Sequence, residues 1–313
     1  MKKILSLIIS AALLAFIYHK INIGSIVDVF SKSSVPLLIA SLGMVIPLTM
    51  ATSWRLCQLM PRDMQLGFVE ANRLTLMASV LNMVLPSKMG DVAKAAFMAK
   101  RGHLNGSMAV SLVIFEKACD MAALLAWCAL GLAIYPQKNL LFWWMTAAVA
   151  CGFCLLAVLI GSKKFAAWFF IIAAKFSPGA IRIKLQALEK SWGEMHGYFW
   201  GNRGKLATVA FSSCGIWFLH LMQIWLFTMA LHADVPFMSN IAISPLALFA
   251  GLLPLTFAGV GTRDAALVFF YSPYMNAANA AALGVLCTMR YVIPAIAGTP
   301  FMGDSLGSLS KKR

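Results

Sequence analysis

Charge is scarce in this chain. Asp, Glu, Lys and Arg together make up 12% of its 313 residues, against 61% hydrophobic, and the mean hydropathy is +0.80. Soluble domains carry about 25% charged residues, so a soluble globular protein of this size is excluded. Acids are scarcest of all, 11 against 26 Lys and Arg. The five histidines, His19, His103, His196, His220 and His232, are scattered with no pair at metal-ligand spacing, and no metal is expected. The seven cysteines all lie in or beside apolar segments, where cysteine packs as a small hydrophobe. Cys151-Gly152-Phe153-Cys154 has redox spacing but sits inside an apolar run without a βαβ context. There is no nucleotide-binding loop, spaced Asp-rich run or serine triad, and no polar stretch long enough to hold a nucleotide-sugar. Neither an enzyme nor a cofactor is expected on these grounds.

What is present is apolar sequence in span-sized runs: 4–18, 35–54, 108–134, 139–161, 206–231 and 278–300. The expected fold is all-α and integral to the membrane, a polytopic helical bundle of about six full spans in one domain, 1–313. An N-terminus inside puts 19 of the 26 Lys and Arg on the cytoplasmic side. Only Lys20, Lys32 and Lys138 fall outside, and Lys88, Lys117, Arg263 and Arg290 fall at membrane depth. This positive-inside pattern predicts both termini in the cytoplasm and gives the net charge of +15 a reading that needs no nucleic acid. The first run follows Lys2-Lys3 but has no small-residue cleavage site before His19, so it reads as a retained span. Short external loops fit a bacterial inner membrane.

Two stretches interrupt the apolar pattern, Leu85-Pro86-Ser87-Lys88-Met89-Gly90-Asp91 and Pro254 through Gly259-Val260-Gly261-Thr262-Arg263-Asp264. Each breaks an apolar run with Pro, then Gly, then a charge, and another apolar piece follows. Lipid cannot satisfy the backbone groups that such breaks free, so the breaks must lie in protein or face water. Paired interruptions in the two halves of a chain point to a transporter's central site. The pieces 74–99 and 237–275 are expected to be re-entrant hairpins, the first opening to the cytoplasm and the second outward, as in an inverted repeat. The first half covers 1–161 and the second 206–313, with a basic cytoplasmic connector, 162–205, between them. In that connector Leu185, Leu188, Trp192, Met195 and Phe199 share one helical face beside Arg182, Lys184 and Lys190. That pattern suits a helix resting on an anionic leaflet.

Ionisable residues at membrane depth are expensive and mark function by default. Glu116 and Asp120 project from one helical face and Lys117 from another. Arg290 lies inside the last run, while Lys88 with Asp91 and Arg263 with Asp264 belong to the two breaks. Free N–H groups at half-helix starts favour an anion such as phosphate. Lys88, Arg263 and Arg290, with Gly90, Gly259 and Gly261, are the candidate ligands of a lipid headgroup. Asp91, Glu116, Asp120 and Asp264 would balance charge or carry protons, and Pro86 and Pro254 make the helix breaks. The bland alternative is that these ions pair with one another and only fix helix register.

These residues carry a resemblance. The chain resembles the membrane (flippase) domain of the lysylphosphatidylglycerol synthases, as a stand-alone member. That family has a Leu-Pro-x-Arg-x-Gly-Glu type motif, matched at 85–91, and a Glu-Arg-x-x-Asp type motif, matched at Glu116-Lys117-Ala118-Cys119-Asp120. Its Pro-x-x-x-Gly-x-Gly-x-Arg-Glu type motif falls on Pro254 to Asp264, and its last-span Arg on Arg290. Lys replaces Arg at 88 and 117, and Asp replaces Glu at 91 and 264, which keeps charge but loses the bidentate phosphate grip of Arg at 88. The resemblance implies re-entrant helices and movement of a lipid between leaflets. The chain reaches Arg313 without the aminoacyl-transfer domain of bifunctional members, so aminoacyl-lipid synthesis is not expected. The expected activity is a flippase acting on an anionic, aminoacylated or polyprenyl-phosphate-linked lipid. The alternative is an enzyme or partner subunit of glycolipid or polyprenyl-sugar synthesis. Expected partners are the membrane lipid itself, a second copy in a homodimer, and enzymes of lipid or cell-envelope glycan synthesis.

Overall fold

Helices account for nearly all of what this computed structural model describes, residues 23–61, 66–84, 90–100, 104–135, 138–177, 179–252 and 261–310. They begin where the sequence supplies caps. The side-chain oxygen of Asn105 accepts from the N–H of Met108 at 2.8 Å, and Asn139 does the same for Phe142 at 3.0 Å. Ser162 caps Phe165 at 3.2 Å and Asn202 caps Lys205 at 3.1 Å. Each such cap stabilises its helix by about 1 kcal/mol.

In chain order the helices are α1 (Ile23–Lys32), α2 (Val35–Gly43), α3 (Val45–Leu59), α4 (Phe68–Val84), α5 (Gly90–Lys100), α6 (Gly106–Ile134) and α7 (Leu140–Gly161). Then come α8 (Lys163–Lys175), α9 (Gly179–Gly201), α10 (Arg203–Ala230), α11 (Phe237–Ala250), α12 (Thr262–Tyr271) and α13 (Ala277–Ser310). Four stretches are long and apolar enough to cross a membrane: Val35–Leu59, Leu140–Gly161, Arg203–Ala230 and Ala277–Met302. At 29 residues α6 has the length as well, but Glu116, Lys117 and Asp120 interrupt its apolar run. The protein is an all-α, polytopic membrane protein. The run 4–18 lies outside the described residues.

The ends of the bundle follow from backbone contacts. Ser34 N–H bonds Ala230 at 2.9 Å, whereas Lys205 bonds the carbonyl of Met60 at 2.9 Å. The segment α2–α3 is therefore antiparallel to α10. Two helix pairs, α4 with α5 and α11 with α12, pack as hairpins and bridge the same two long helices. In the first, α4 lies on α13 and α5 on α6; in the second, α11 lies on α6 and α12 on α13. Each hairpin thus places its second arm on the long helix that follows it and its first arm on the long helix of the other half. The mouth of the second hairpin is at the C-terminal end of α6, where Tyr135 meets Phe270 edge-on at 6.4 Å. The mouth of the first is at the opposite end, where Leu66 and Leu104 pack in one apolar cluster with Met60 and Val209.

Two backbone approaches repeat this relation. A Cβ on Gly131 of α6 would overlap the carbonyl oxygen of Ala242 on α11, and one on Gly298 of α13 would overlap that of Leu76 on α4. Lipid tails are as apolar as Leu, so helices in a bilayer associate through such close packing. The buried apolar side chains fall into two clusters, one holding Leu221, Ala242, Leu267 and Leu283 and the other Leu56, Leu74, Met98 and Phe199.

The connector departs from expectation. Its stripe does not lie against lipid: Trp192, Met195 and Phe199 are buried, and Phe199 stacks on Phe115 of α6 at 4.2 Å. The same periodicity serves either purpose. Here the protruding N-terminal half of α6 offered a protein surface, and aromatic stacking took it.

Val substituted for either Gly131 or Gly298 should separate the helices that cross there and cost about 2 kcal/mol or more. A fall of several degrees in the unfolding midpoint of detergent-solubilised protein is the expected result, with Gly161→Ala, which meets no neighbour, as the unaffected control.

Candidate functional site

The densest cluster of charge hangs on α6. Arg55 of α3, 1% exposed, enters it from the side. Its Nη2 donates to Glu116 Oε1 and to Asp120 Oδ2, each at 3.1 Å. Its Nη1 donates to Ser213 Oγ of α10 at 2.8 Å and to Asp120 Oδ1. Lys94 of α5 reaches the other oxygen of Glu116 at 2.5 Å. Lys117 bonds Asp91, also of α5, at 3.1 Å and lies 3.5 Å from Asp120. Three cations thus meet three carboxylates and tie α3, α5, α6 and α10 together. The (i, i+4) spacing of Glu116 and Asp120 lets one guanidinium span both. No described charge in the group lacks an opposite partner.

The second hairpin is built differently. Gly261 has φ 105°, a backbone region open to glycine, and its N–H donates to Asp264 Oδ2 at 3.0 Å. The other oxygen of Asp264 accepts from Arg263 Nε at 2.9 Å and Nη2 at 2.7 Å. Arg263 also donates to the carbonyl of Cys287 at 3.1 Å, the carbonyl of Gly284 at 3.2 Å and Thr288 Oγ1 at 2.7 Å. Its donors are occupied, and they clamp α12 onto α13.

Arg290 stands apart. It is 4% exposed and midway along the span Ala277–Met302, roughly 20 Å from either end at 1.5 Å per residue. Its Nη2 donates to Tyr291 Oη at 2.8 Å. Among the described residues nothing accepts from its Nε or Nη1, and no carboxylate pairs with it.

Helix register locates this arginine. Arg73 lies over the ring of Phe301 at 5.7 Å, and Leu76 touches Gly298, so α4 and α13 run antiparallel. Continuing that register brings Val84, the end of α4, level with Arg290. On the other side Arg263 meets α13 at 284–288, so Arg290 is one turn further, just past the start of α12 at Gly261. The ends of both hairpins therefore reach the depth of Arg290. On α6 the contacts Lys94–Glu116 and Gly131–Ala242 put the start of α5 and the end of α11 near Asp120 and Ala123. The described helix ends beside the breaks thus lie near the neutralised network on α6 and the partly unpaired Arg290 on α13.

Of the residues expected from sequence, Asp91, Glu116 and Asp120 come together, as do Arg263, Asp264 and Gly261. Pro86, Lys88, Pro254 and Gly259 lie outside the described residues. Gly90 opens α5 against α4, where a Cβ would overlap the carbonyl of Ala78 and crowd Asn82; its visible use is close packing. Gly261 spends its N–H on Asp264. Sequence reasoning missed Arg55 and Lys94. A span ended at residue 54 left Arg55 outside the membrane. The signal lay just beyond it in Leu56, Leu59 and Met60, which continue the apolar helix. Lys94 sits within the apolar run 92–99 and was passed over for the lysine in the break.

Comparison with known proteins agrees with this architecture. The family described as lysylphosphatidylglycerol synthase TM region matches residues 3–298. The chain belongs to that family. It is also similar to the UPF0104 membrane protein MJ1595 of Methanocaldococcus jannaschii, 24% identical over 241 residues, which cover 72% of this chain and 71% of that protein. The family match runs through all three groups of charge, the α6 network, the Arg263 clamp and Arg290.

Arg55 is the cation that Glu116 and Asp120 share, and removing it leaves the buried Glu116 with Lys94 alone and Asp120 with Lys117 alone. Arg55→Met should cost about 3–5 kcal/mol in reversible unfolding from detergent micelles. A loss under about 1 kcal/mol would mean that water screens the cluster.

Proposed function

We propose that the protein moves a lipid between leaflets, with the headgroup phosphate held by Arg290 between the ends of the two hairpins. The observation that carries this reading is the buried guanidinium with two unoccupied donors. An unsatisfied buried charge is costly, and a phosphate oxygen could accept a charge-assisted hydrogen bond from Nε or from Nη1, which point to different sides of the guanidinium. Charge supports it too. The α6 network is neutral, and Arg263 is balanced by Asp264, so among the described buried cations Arg290 is the one left without an anion. A monoanionic phosphodiester supplies it, whether from a phospholipid or from a polyprenyl-phosphate-linked lipid.

In this reading the parts divide the work. Arg263 and Asp264 fix α12 against α13 and so aim the break preceding Gly261 at the headgroup. Lys88, in the other break, is the second cation offered to the phosphate, a point charge where a relative would have a fork. Asp91, Glu116 and Asp120 keep Arg55, Lys94 and Lys117 from competing for the anion. The protein sits in the cytoplasmic membrane with both termini inside, and its hairpins open to opposite faces. A headgroup held between them is within reach of either face while its tails stay in lipid. Alternation then needs only that one hairpin loosens while the other stays closed, as in rocking about a fixed central site.

Arg290→Gln keeps the size of the side chain roughly and removes the charge. In proteoliposomes it should cut the flipping rate of a fluorescent anionic phospholipid about tenfold or more, the worth of a charge-assisted hydrogen bond. Folding should be unharmed, because the substitution deletes unsatisfied donors. Unchanged flipping by a normally folded Arg290→Gln protein would falsify the assignment.

A further inference from the structure

Helix α8 takes no part in the site, yet it carries the most unusual surface of the molecule. It follows α7 across the single residue Ser162 and runs for 13 residues, a rise of ~20 Å against a hydrocarbon thickness of ~30 Å. It is too short to cross. Its inner face is spoken for: Ala166, Phe170 and Ala174 are buried, with Phe170 6.3 Å from Trp192 of α9. Its outer face leaves Trp168, Phe169, Ile171 and the following Phe176 exposed, Phe176 at 82%, and Ile183 of α9 is exposed as well.

Charge frames this patch with one sign. Lys163 and Lys164 at the start of α8, Lys175 at its end, and Arg182 near the start of α9 are all exposed. No acid occurs in α8 itself, and Glu189 and Glu194 lie further along α9, Glu189 beside Lys190. Position agrees with composition. The indole N–H of Trp200 donates to the carbonyl of Ile160 at 3.0 Å, so α8 starts at the end of the bundle where α7 stops and α10 begins. That is also the end of Met60 and Lys205. A short helix at the rim of a membrane bundle, aromatic outward and flanked by lysines, has the chemistry of a helix lying in the interface. Aromatic rings settle at headgroup level, and lysine stems reach past them to the phosphates.

We infer that α8 is an interfacial anchor whose aromatic face sits in the bilayer while Lys163, Lys164 and Lys175 hold anionic lipid headgroups. This role is independent of transport. It transfers the membrane-surface property expected of α9 to its neighbour, since the stripe of α9 is buried against α6.

The test uses the full chain with the exposed Cys151 and Cys154 replaced by Ser and a fluorophore attached at Phe169→Cys. The protein is reconstituted with spin-labelled phosphatidylglycerol or spin-labelled phosphatidylcholine at equal mole fraction. Quenching by the anionic lipid should exceed that by the zwitterionic lipid roughly twofold or more. Lys163→Gln, Lys164→Gln and Lys175→Gln together should equalise the two while the fluorophore stays protected from aqueous iodide. Equal quenching before those substitutions overturns the headgroup contact. Ready quenching by iodide overturns the interfacial position. Shielding that rises with protein density overturns the lipid as occupant and puts a second copy on the face.

Discussion

The pairing of Arg55 with Glu116 and Asp120 is the contact around which the bundle is arranged. Glu116 is fully buried, and its two oxygens take cations from different helices, α3 and α5. Desolvating such ions costs several kcal/mol each, so the arrangement is not a simple source of stability. What it supplies is specificity, because the charges are satisfied in one register only. A slip of α6 by a single turn would put Leu112 in the place of Glu116, or Leu124 in the place of Asp120, and leave a buried cation facing an apolar side chain. The network therefore sets the height of α6 against the first hairpin, and through Gly131 and Ala242 against the second.

The packing of the two halves is alike, and their electrostatics are opposite. Each hairpin has one arm on α6 and one on α13, and each long helix carries charge near the level of the breaks. On α6 that charge is anionic and neutralised by α3 and α5. On α13 it is cationic and left with spare donors. Among the described buried cations Arg290 is the one without a carboxylate partner. Arg263 spends its guanidinium on Asp264, two carbonyls and Thr288, and so clamps α12 onto α13.

Much of this was legible in the sequence because lipid imposes strict rules. Long apolar runs became helices, since little else survives in hydrocarbon, and the helices on either side of each Pro/Gly break pack against one another. Glu116 with Asp120 and Arg263 with Asp264 stood out as charges in the wrong place. Partner choice was not legible. Lys117 pairs with Asp91 and Glu116 with Lys94, which depends on how α5 packs and not on any spacing within the chain. Arg55 was hidden by its position near the end of a helix, where an arginine ordinarily faces water. The stripe on α9 shows the same limit, because period alone does not say whether lipid or protein covers an apolar face.

The central claim is that Arg290 waits for an anion between the hairpin ends. The most direct measurement is an experimental structure of the protein in lipid nanodiscs containing anionic phospholipid. The account predicts a phosphate within hydrogen-bond distance of Arg290 Nε or Nη1, level with Val84, with tails leading out between helices. Carboxylates or backbone carbonyls of the protein occupying both donors would contradict it.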